Sequence, residues 1–256
     1  MSNALENKTA VILGGTSGMG LAAAKRFLAE GAKVIITGRK QEKIDVARQE
    51  LQGRVAIYQA DIADYEATKS AIEQGVERFG KIDVFYQVAG MASMVPFEMA
   101  DSAHYETMVT VDLVAPIVAL LNARPHLNDG AAIILTTTTA STRPAAAATA
   151  YCAAKAGLDQ FAKALALELA HRKIRVNVIS PGPIDTPIFN ELGIPQEQLA
   201  GFQQFLASII PLGRLGRDDE IANAALFLAS EQSSFVSGVT LQVDGGLNQS
   251  FHQMPG

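Results

Sequence analysis

The chain has a single cysteine, Cys152, in 256 residues. An internal disulfide is therefore excluded, and a lone thiol fits a reducing compartment. Histidine is nearly as scarce: His104, His126, His171 and His252 stand far apart, without ligand spacing, so no metal site is expected. Charge is sparse as well. Charged residues make up 18%, the net charge is −5, and no Lys/Arg cluster forms a stripe, which argues against nucleic acid as a partner. No apolar run reaches the ~18 residues of a membrane span, and residues 1–10 carry no apolar leader core. A cytoplasmic protein with no membrane contact is the expectation. What the chain does have is 48% hydrophobic residues, enough to bury a large core.

Apolar runs and helical patterns alternate along it. Strands are expected over residues 9–13, 33–37, 55–58, 83–88, 131–137, 174–179 and 239–243. Helices are expected over 19–30, 41–51, 65–79, 101–123, the segment carrying Tyr151, and 218–229. Asp101 or Ser102 would cap the long helix, and Pro116 would kink it. Parallel strands need crossovers, so this alternation predicts an α/β fold: a doubly wound, Rossmann-like sandwich with a seven-stranded parallel sheet and helices on both faces. No composition break or repeat divides residues 1–256, so a single domain is expected. The Thr- and Ala-rich stretch 136–150 falls between a strand end and a helix start and reads as an active-site loop.

Gly14-Gly15-Thr16-Ser17-Gly18-Met19-Gly20 joins the first strand to the first helix. Glycines allow a tight turn and close approach to a pyrophosphate, and the helix N-terminus offers N–H donors and a positive dipole. The spacing is G-x3-G-x-G, and its place between strand and helix points to nucleotide binding. An NAD site would place an acid about 20 residues further on, against the ribose 2′-hydroxyl. Here the second strand ends Thr37-Gly38-Arg39-Lys40, where a guanidinium can hold a 2′-phosphate. NADP is predicted over NAD.

Tyr151 and Lys155 stand four apart at the start of an apolar helix. That spacing sets a phenol and an ammonium on one face. A cation about 4 Å away at an effective dielectric of ~20 is worth roughly 4 kcal/mol, enough to draw a phenol towards neutrality, where acid–base catalysis works best.

Together the Gly14 to Gly20 loop, Asp61-Ile62, Ala89-Gly90, Tyr151-x-x-x-Lys155, Asn177 and Pro181-Gly182-Pro183-Ile184-Asp185-Thr186 resemble the short-chain dehydrogenase/reductase family over nearly the whole chain. The resemblance implies that Asp61 and Ile62 contact adenine and that Ala89 and Gly90 line the cofactor. It implies that Pro181, Gly182, Ile184 and Thr186 hold the nicotinamide end. Lys155 would bond the nicotinamide ribose and lower the pKa of Tyr151, which would pass a proton to or from the substrate oxygen. Independently of the resemblance, Asp61, Gly90, Thr138 and Pro181 all lie beyond carboxyl ends of expected strands, where such sheets bind ligands.

Departures from the family pattern are informative. Thr138 stands where a serine is usual; it keeps the carbonyl-polarising hydroxyl but adds a stiffening methyl. Ser141 is the alternative hydroxyl. Asp112 stands where asparagine is usual, and is read either as an altered proton-relay group acting on Lys155 or as a satisfied helix acid. Gln87-Val88 and Leu13 depart too, with consequences expected for packing. Cys152, inside the catalytic pair, reads as a small packed residue, with a redox-sensitive thiol beside the cofactor as the alternative.

Beyond Thr186, the apolar segment 186–212 resembles the family's substrate lid. With Met91, Met94 and Phe97 it suggests a hydrophobic small-molecule alcohol or carbonyl substrate. Arg143 is the nearest candidate by sequence to clamp an anionic substrate group. The resemblance also implies a homotetramer, with the Asp101 and Tyr151 helices in one interface and the last strand in another; the tail from Asn248 would reach a neighbour or lie loose. Two functions follow: an NADP-dependent oxidoreductase interconverting a secondary alcohol and a carbonyl, or a nucleotide-binding sensor or structural subunit with little catalysis. An isomerase or dehydratase on the same scaffold is a third class.

Overall fold

The computed structural model describes residues 3–187, 189 and 195–250. Strands β1 (Thr9–Leu13), β2 (Lys33–Gly38), β3 (Val55–Gln59), β4 (Ile82–Gln87), β5 (Leu127–Thr136), β6 (Arg175–Pro181) and β7 (Thr240–Val243) form one sheet. Their order is β3-β2-β1-β4-β5-β6-β7, with every pairing parallel. The expected architecture is therefore the observed one. β5 begins earlier than its apolar run suggested, because Leu127 pairs with Ile82 before a register shift. β6 runs on through Pro181.

Alternation along each strand divides the core into two layers. Ala10 and Ile12 of β1 face α1 (Gly18–Ala29), α2 (Gln41–Glu50) and α8 (Asp218–Ala229), through Phe27, Ala47 and Ala225. Val11 and Leu13 face the other layer, which holds α3 (Tyr65–Phe79), α5 (Ala115–Ala123) and α6 (Thr149–Glu168), through Ile72, Ala119 and Leu158. Local signals set the helix ends. Asp64 caps α3 through Ala67 N at 3.0 Å, and Gly80 closes it at φ 90°. Asp101 caps α4 (Ser102–Val109) through His104 N at 2.8 Å.

The long helix differs from its expectation in one respect. Between α4 and α5 the chain forms a π-helical segment, Thr110–Val114, and Pro116 follows at the start of α5. The wider turn accommodates a residue with no N–H to give, and the helical path continues through it. The same turn carries Asp112 into the interior, where it is fully buried. By length and composition Ser102–His126 would suffice to cross a membrane. Its inward residues Met108, Ala115, Ala119 and Ala123 are buried, so part of that apolar character belongs to the core of the fold.

The strand order reverses direction between β1 and β4, and ligands in such sheets bind at that point, beyond the carboxyl ends. Here Val88 N and Ala89 N both donate to Leu13 O, at 3.0 and 2.8 Å. The loop after β4 is thereby fastened to the loop after β1.

Candidate active site

A groove opens at the switch point. Its wall includes Gly14, Thr16, Ser17, Gly18, Met19 and Gly20 from the first loop, and Ala89, Gly90 and Met91 from the loop after β4. Gly14 has φ +90°, and a Cβ on it would sit 2.7 Å from Ala89 N. A Cβ on Gly20 would sit 2.1 Å from Gly14 O. Only glycine permits that closeness, and the closeness forms a cradle of bare backbone at the N-terminus of α1. Ser17 caps α1 without a side-chain hydrogen bond, and the first turn has no acid, whereas α3 and α8 open on Glu66 and Asp218. Uncapped donors and an absent carboxylate suit an anion, so the cradle fits a dinucleotide pyrophosphate.

Arg39, Lys40 and Lys43 line the groove too, together with Asp61 and buried Ile62. Asp61 Oδ1 accepts from Ala63 N at 3.0 Å and shapes that turn. Sequence reasoning picked out Arg39 as the anion contact and missed Lys43. The signal was present as Arg39-Lys40-x-x-Lys43, whose cations gather because α2 starts just after β2.

Thr186 also lines the groove; its Cβ would lie 3.3 Å from a Cβ on Gly18. Pro181, Gly182 and Ile184 do not form part of that wall. Gly182 donates to Val243 O at 3.0 Å and packs on Asp244, while Ile184 is buried against Gly216. They anchor the segment after β6 that carries Thr186. Asn177 ties β6 to the turn before β7, donating to Val236 O at 2.8 Å and accepting from Val239 N at 3.1 Å.

Tyr151 and Lys155 occupy the first turns of α6, one turn apart, with Tyr151 half-buried and Lys155 buried. Lys155 Nζ donates to Thr136 O at 3.1 Å and pairs with Asp112 Oδ1 at 3.1 Å. Asp112 Oδ1 also accepts from Met91 N at 3.2 Å, and its Oδ2 has no hydrogen-bond partner among the described residues. A Cβ on Gly90 would lie 2.6 Å from Asp112 Oδ1 and 3.2 Å from Lys155 Nζ. The pair thus sits directly behind the groove wall.

Charge in this cluster is finely opposed. Burial pushes the Asp112 carboxyl up, and Lys155 partly offsets this. Burial disfavours the Lys155 ammonium, yet Asp112 and then Tyr151 hold its pKa above the ordinary lysine value. Burial likewise pushes the Tyr151 phenol up; Lys155 pulls it down, Asp112 pushes it up again, and a hydrogen bond with Thr138 pulls it down. The net direction is upward. The expectation of a phenol drawn towards neutrality is corrected here: burial disfavours a phenolate, and the Asp112 carboxylate works against what Lys155 supplies.

Thr138 starts the turn Thr139–Ser141, its hydroxyl accepting from Ala140 N at 3.3 Å. The Ser141 hydroxyl donates back to Thr138 O. Ser141 thus closes the turn, and Thr138 is the hydroxyl that meets Tyr151. Thr136 contributes its carbonyl to Lys155. Gln87, fully buried, donates its amide to Ala89 O and braces the loop after β4, a packing role as expected. Cys152 is a free, half-buried thiol. Arg143 clamps no open anion site; its guanidinium donates to Leu247 O and to Ser250 Oγ. In the expected lid, Phe189 meets Phe202 edge-on, with centroids 6.4 Å apart, and α7 spans Gln196–Ile209. Positions 188 and 190–194 of that segment, like the tail beyond Ser250, lie outside the described residues. Among the described residues no cluster suited to a metal ion occurs.

A family profile described as enoyl-(acyl carrier protein) reductase matches residues 14–248. The chain is a short-chain dehydrogenase/reductase. This member is 38% identical to a 2,5-dichloro-2,5-cyclohexadiene-1,4-diol dehydrogenase of Sphingobium indicum, over 96% of this chain and 98% of that one. It is 34% identical to a 3beta-hydroxysteroid dehydrogenase of Eggerthella lenta, over 96% of each. Among solved structures it resembles a short-chain dehydrogenase/reductase from Serratia marcescens, with TM-score 0.88 and 31% identity over 96% of this chain and 99% of that one. Members of this family act as NAD(P)-dependent oxidoreductases between alcohol and carbonyl groups. In this member a phenol, an ammonium and a hydroxyl converge beside a dinucleotide cradle. That arrangement can hold a carbonyl oxygen and exchange one proton with it.

Proposed function

We propose that this short-chain dehydrogenase/reductase uses NADP to interconvert a secondary alcohol and a carbonyl on a hydrophobic substrate. Bound in the groove, the cofactor supplies or accepts the hydride. Thr138 orients the substrate oxygen through its hydroxyl. Tyr151 gives that oxygen its proton in reduction and takes it back in oxidation. Lys155 stays an ammonium and stabilises the phenolate that reduction leaves behind. The observation that carries this reading is Tyr151 with Lys155 one turn along and Thr138 at its side, next to Gly90 of the groove.

The choice of NADP rests on Arg39, Lys40 and Lys43 in the groove wall, with no acid closing β2. A guanidinium and ammonium groups match a 2′-phosphate, and an NAD site would offer a carboxylate there. The choice of a hydrophobic alcohol rests on the exposed Met94, Phe97 and Met99 beyond β4. Relatives named for a cyclohexadiene diol and a hydroxysteroid support it. A cytoplasmic homotetramer completes the proposal, supported by the lone free thiol and by exposed apolar residues such as Leu167 and Phe235.

Fluorescence titration checks the cofactor: NADPH should bind more tightly than NADH, and Arg39→Ala should weaken NADPH alone. Tighter NADH binding would refute NADP. Turnover is checked by NADPH oxidation across a panel of cyclic ketones, with Tyr151→Phe abolishing it. One observation favours a nucleotide-binding subunit with little catalysis: Asp112 offsets the charge that Tyr151 needs. Cofactor binding without turnover on any substrate would select that reading.

A further inference from the structure

The turn after β5 and the end of the described chain are fastened together. Arg143 Nη1 donates to Leu247 O and to Ser250 Oγ, the latter at 2.7 Å. Thr142 Oγ1 lies 2.9 Å from Asn248 Oδ1. The far side is itself braced. Asp244 accepts from Gly246 N at 2.9 Å and from Asn248 N at 2.8 Å, Leu247 is buried, and Ser250 Oγ donates to Leu247 O at 2.9 Å.

The near side leads to the catalytic hydroxyl. Arg143 N donates to Thr139 O at 2.8 Å and Thr142 N to the same oxygen at 3.1 Å. Ser141 N donates to Thr138 O at 3.0 Å, and Ala140 N to Thr138 Oγ1. The Thr138 side chain thus belongs to one hydrogen-bonded turn. That turn is fixed to the sheet by Thr137 N on Ile179 O, at 2.9 Å, and to the C-terminal segment by Arg143. A guanidinium suits this task because its planar fork can hold two acceptors at once.

We propose that Arg143 is a positioning residue: by clamping Leu247–Ser250 onto the turn after Thr138, it holds the Thr138 hydroxyl against Tyr151. The proposal rests on the catalytic roles given above to Thr138 and Tyr151. It makes the C-terminal segment part of the active site's support, and it leaves Arg143 occupied and unable to receive an anionic substrate group.

Hydrogen exchange on the full chain tests the clamp without any substrate. Arg143→Ala should speed exchange at the amides of Ala140 to Arg143 by roughly tenfold or more, as expected when a charged hydrogen bond is lost. The amides of Ile133, Ile134 and Leu135 should be unchanged, which reports an intact fold. Arg143→Lys, which keeps one charged donor, should recover most of the protection. Unaltered exchange in Arg143→Ala would overturn the proposal.

Kinetics then test positioning, on whichever ketone of the panel is turned over fastest. Arg143→Ala should lower kcat by about tenfold with the KM for NADPH unmoved, and Arg143→Lys should restore much of it. In a Thr138→Val background the same change should cost almost nothing, because the group it positions is gone. Full additivity would refute the positioning role. A wild type with no turnover, together with the expected exchange result, would count against the catalytic reading and in favour of the clamp.

Discussion

Asp112 and Lys155 form an ion pair at 3.1 Å with both side chains buried. Such a pair contributes little net stability while it is intact, but removing one partner strands the other. Lys155→Met should therefore destabilise the protein by about 3 kcal/mol, read from denaturant unfolding, because Asp112 would remain buried with only Met91 N to satisfy it. Asp112→Asn should have a different outcome. The carboxylate opposes a phenolate at Tyr151, so its removal lets Lys155 act alone and lowers the Tyr151 pKa. Carbonyl reduction needs the phenol and falls off above that pKa; alcohol oxidation needs the phenolate and rises towards it. Both alkaline limbs of the pH–rate profiles should move to lower pH in Asp112→Asn. A limb that stays in place would show that the carboxylate does not act on Tyr151. Position 112 was legible in the sequence as a departure, with Lys155 as one of its two readings; that the two meet was decided by the π-turn that brings Asp112 inward, which no residue pattern announced.

At the scale of the element, the first loop works because backbone lies against backbone. Gly20→Ala would set a methyl 2.1 Å from Gly14 O, which cannot move aside without unseating the loop. Nucleotide affinity should fall by about 100-fold or more in a cofactor titration, since the anion's N–H donors would be displaced. Gly130→Ala is the contrast. Gly130 has φ +79° with nothing within 4 Å of the added carbon, so the change should cost about 1 kcal/mol of stability and leave binding intact. Equal binding losses in the two variants would refute the cradle. Periodicity and caps made α1, α3 and α4 legible from the chain, with Asp101 capping as expected. Pro116 was read as interrupting this helix. It follows a wider helical turn, which periodicity over so few residues does not distinguish from ordinary helix.

Across the whole molecule, apolar surface is left uncovered away from the groove. Leu121 is 50% exposed, Leu167 81%, and Phe235 wholly so. Single exposed apolar residues are ordinary, but these lie on or near α5, α6 and the approach to β7, the elements that the proposed assembly would bury. Light scattering should give four times the 27.1 kDa chain mass, and Leu167→Glu with Phe235→Glu should lower it. A monomeric wild type at working concentration would count against the assembly.

The sequence by itself determined the order of strands and helices, the parallel sheet, the glycine loop and the Tyr151–Lys155 spacing. Each depends on contacts within a few residues, or on hydrophobic period, and so is written along the chain. Only the tertiary structure decided what Lys155 bonds, which way the Tyr151 pKa moves, that Lys43 joins Arg39 at the groove, and that Arg143 reaches Leu247. Those facts join residues far apart in the chain. Their energies depend on burial and on distances of a few ångströms, quantities that exist only once the sheet has closed its two layers.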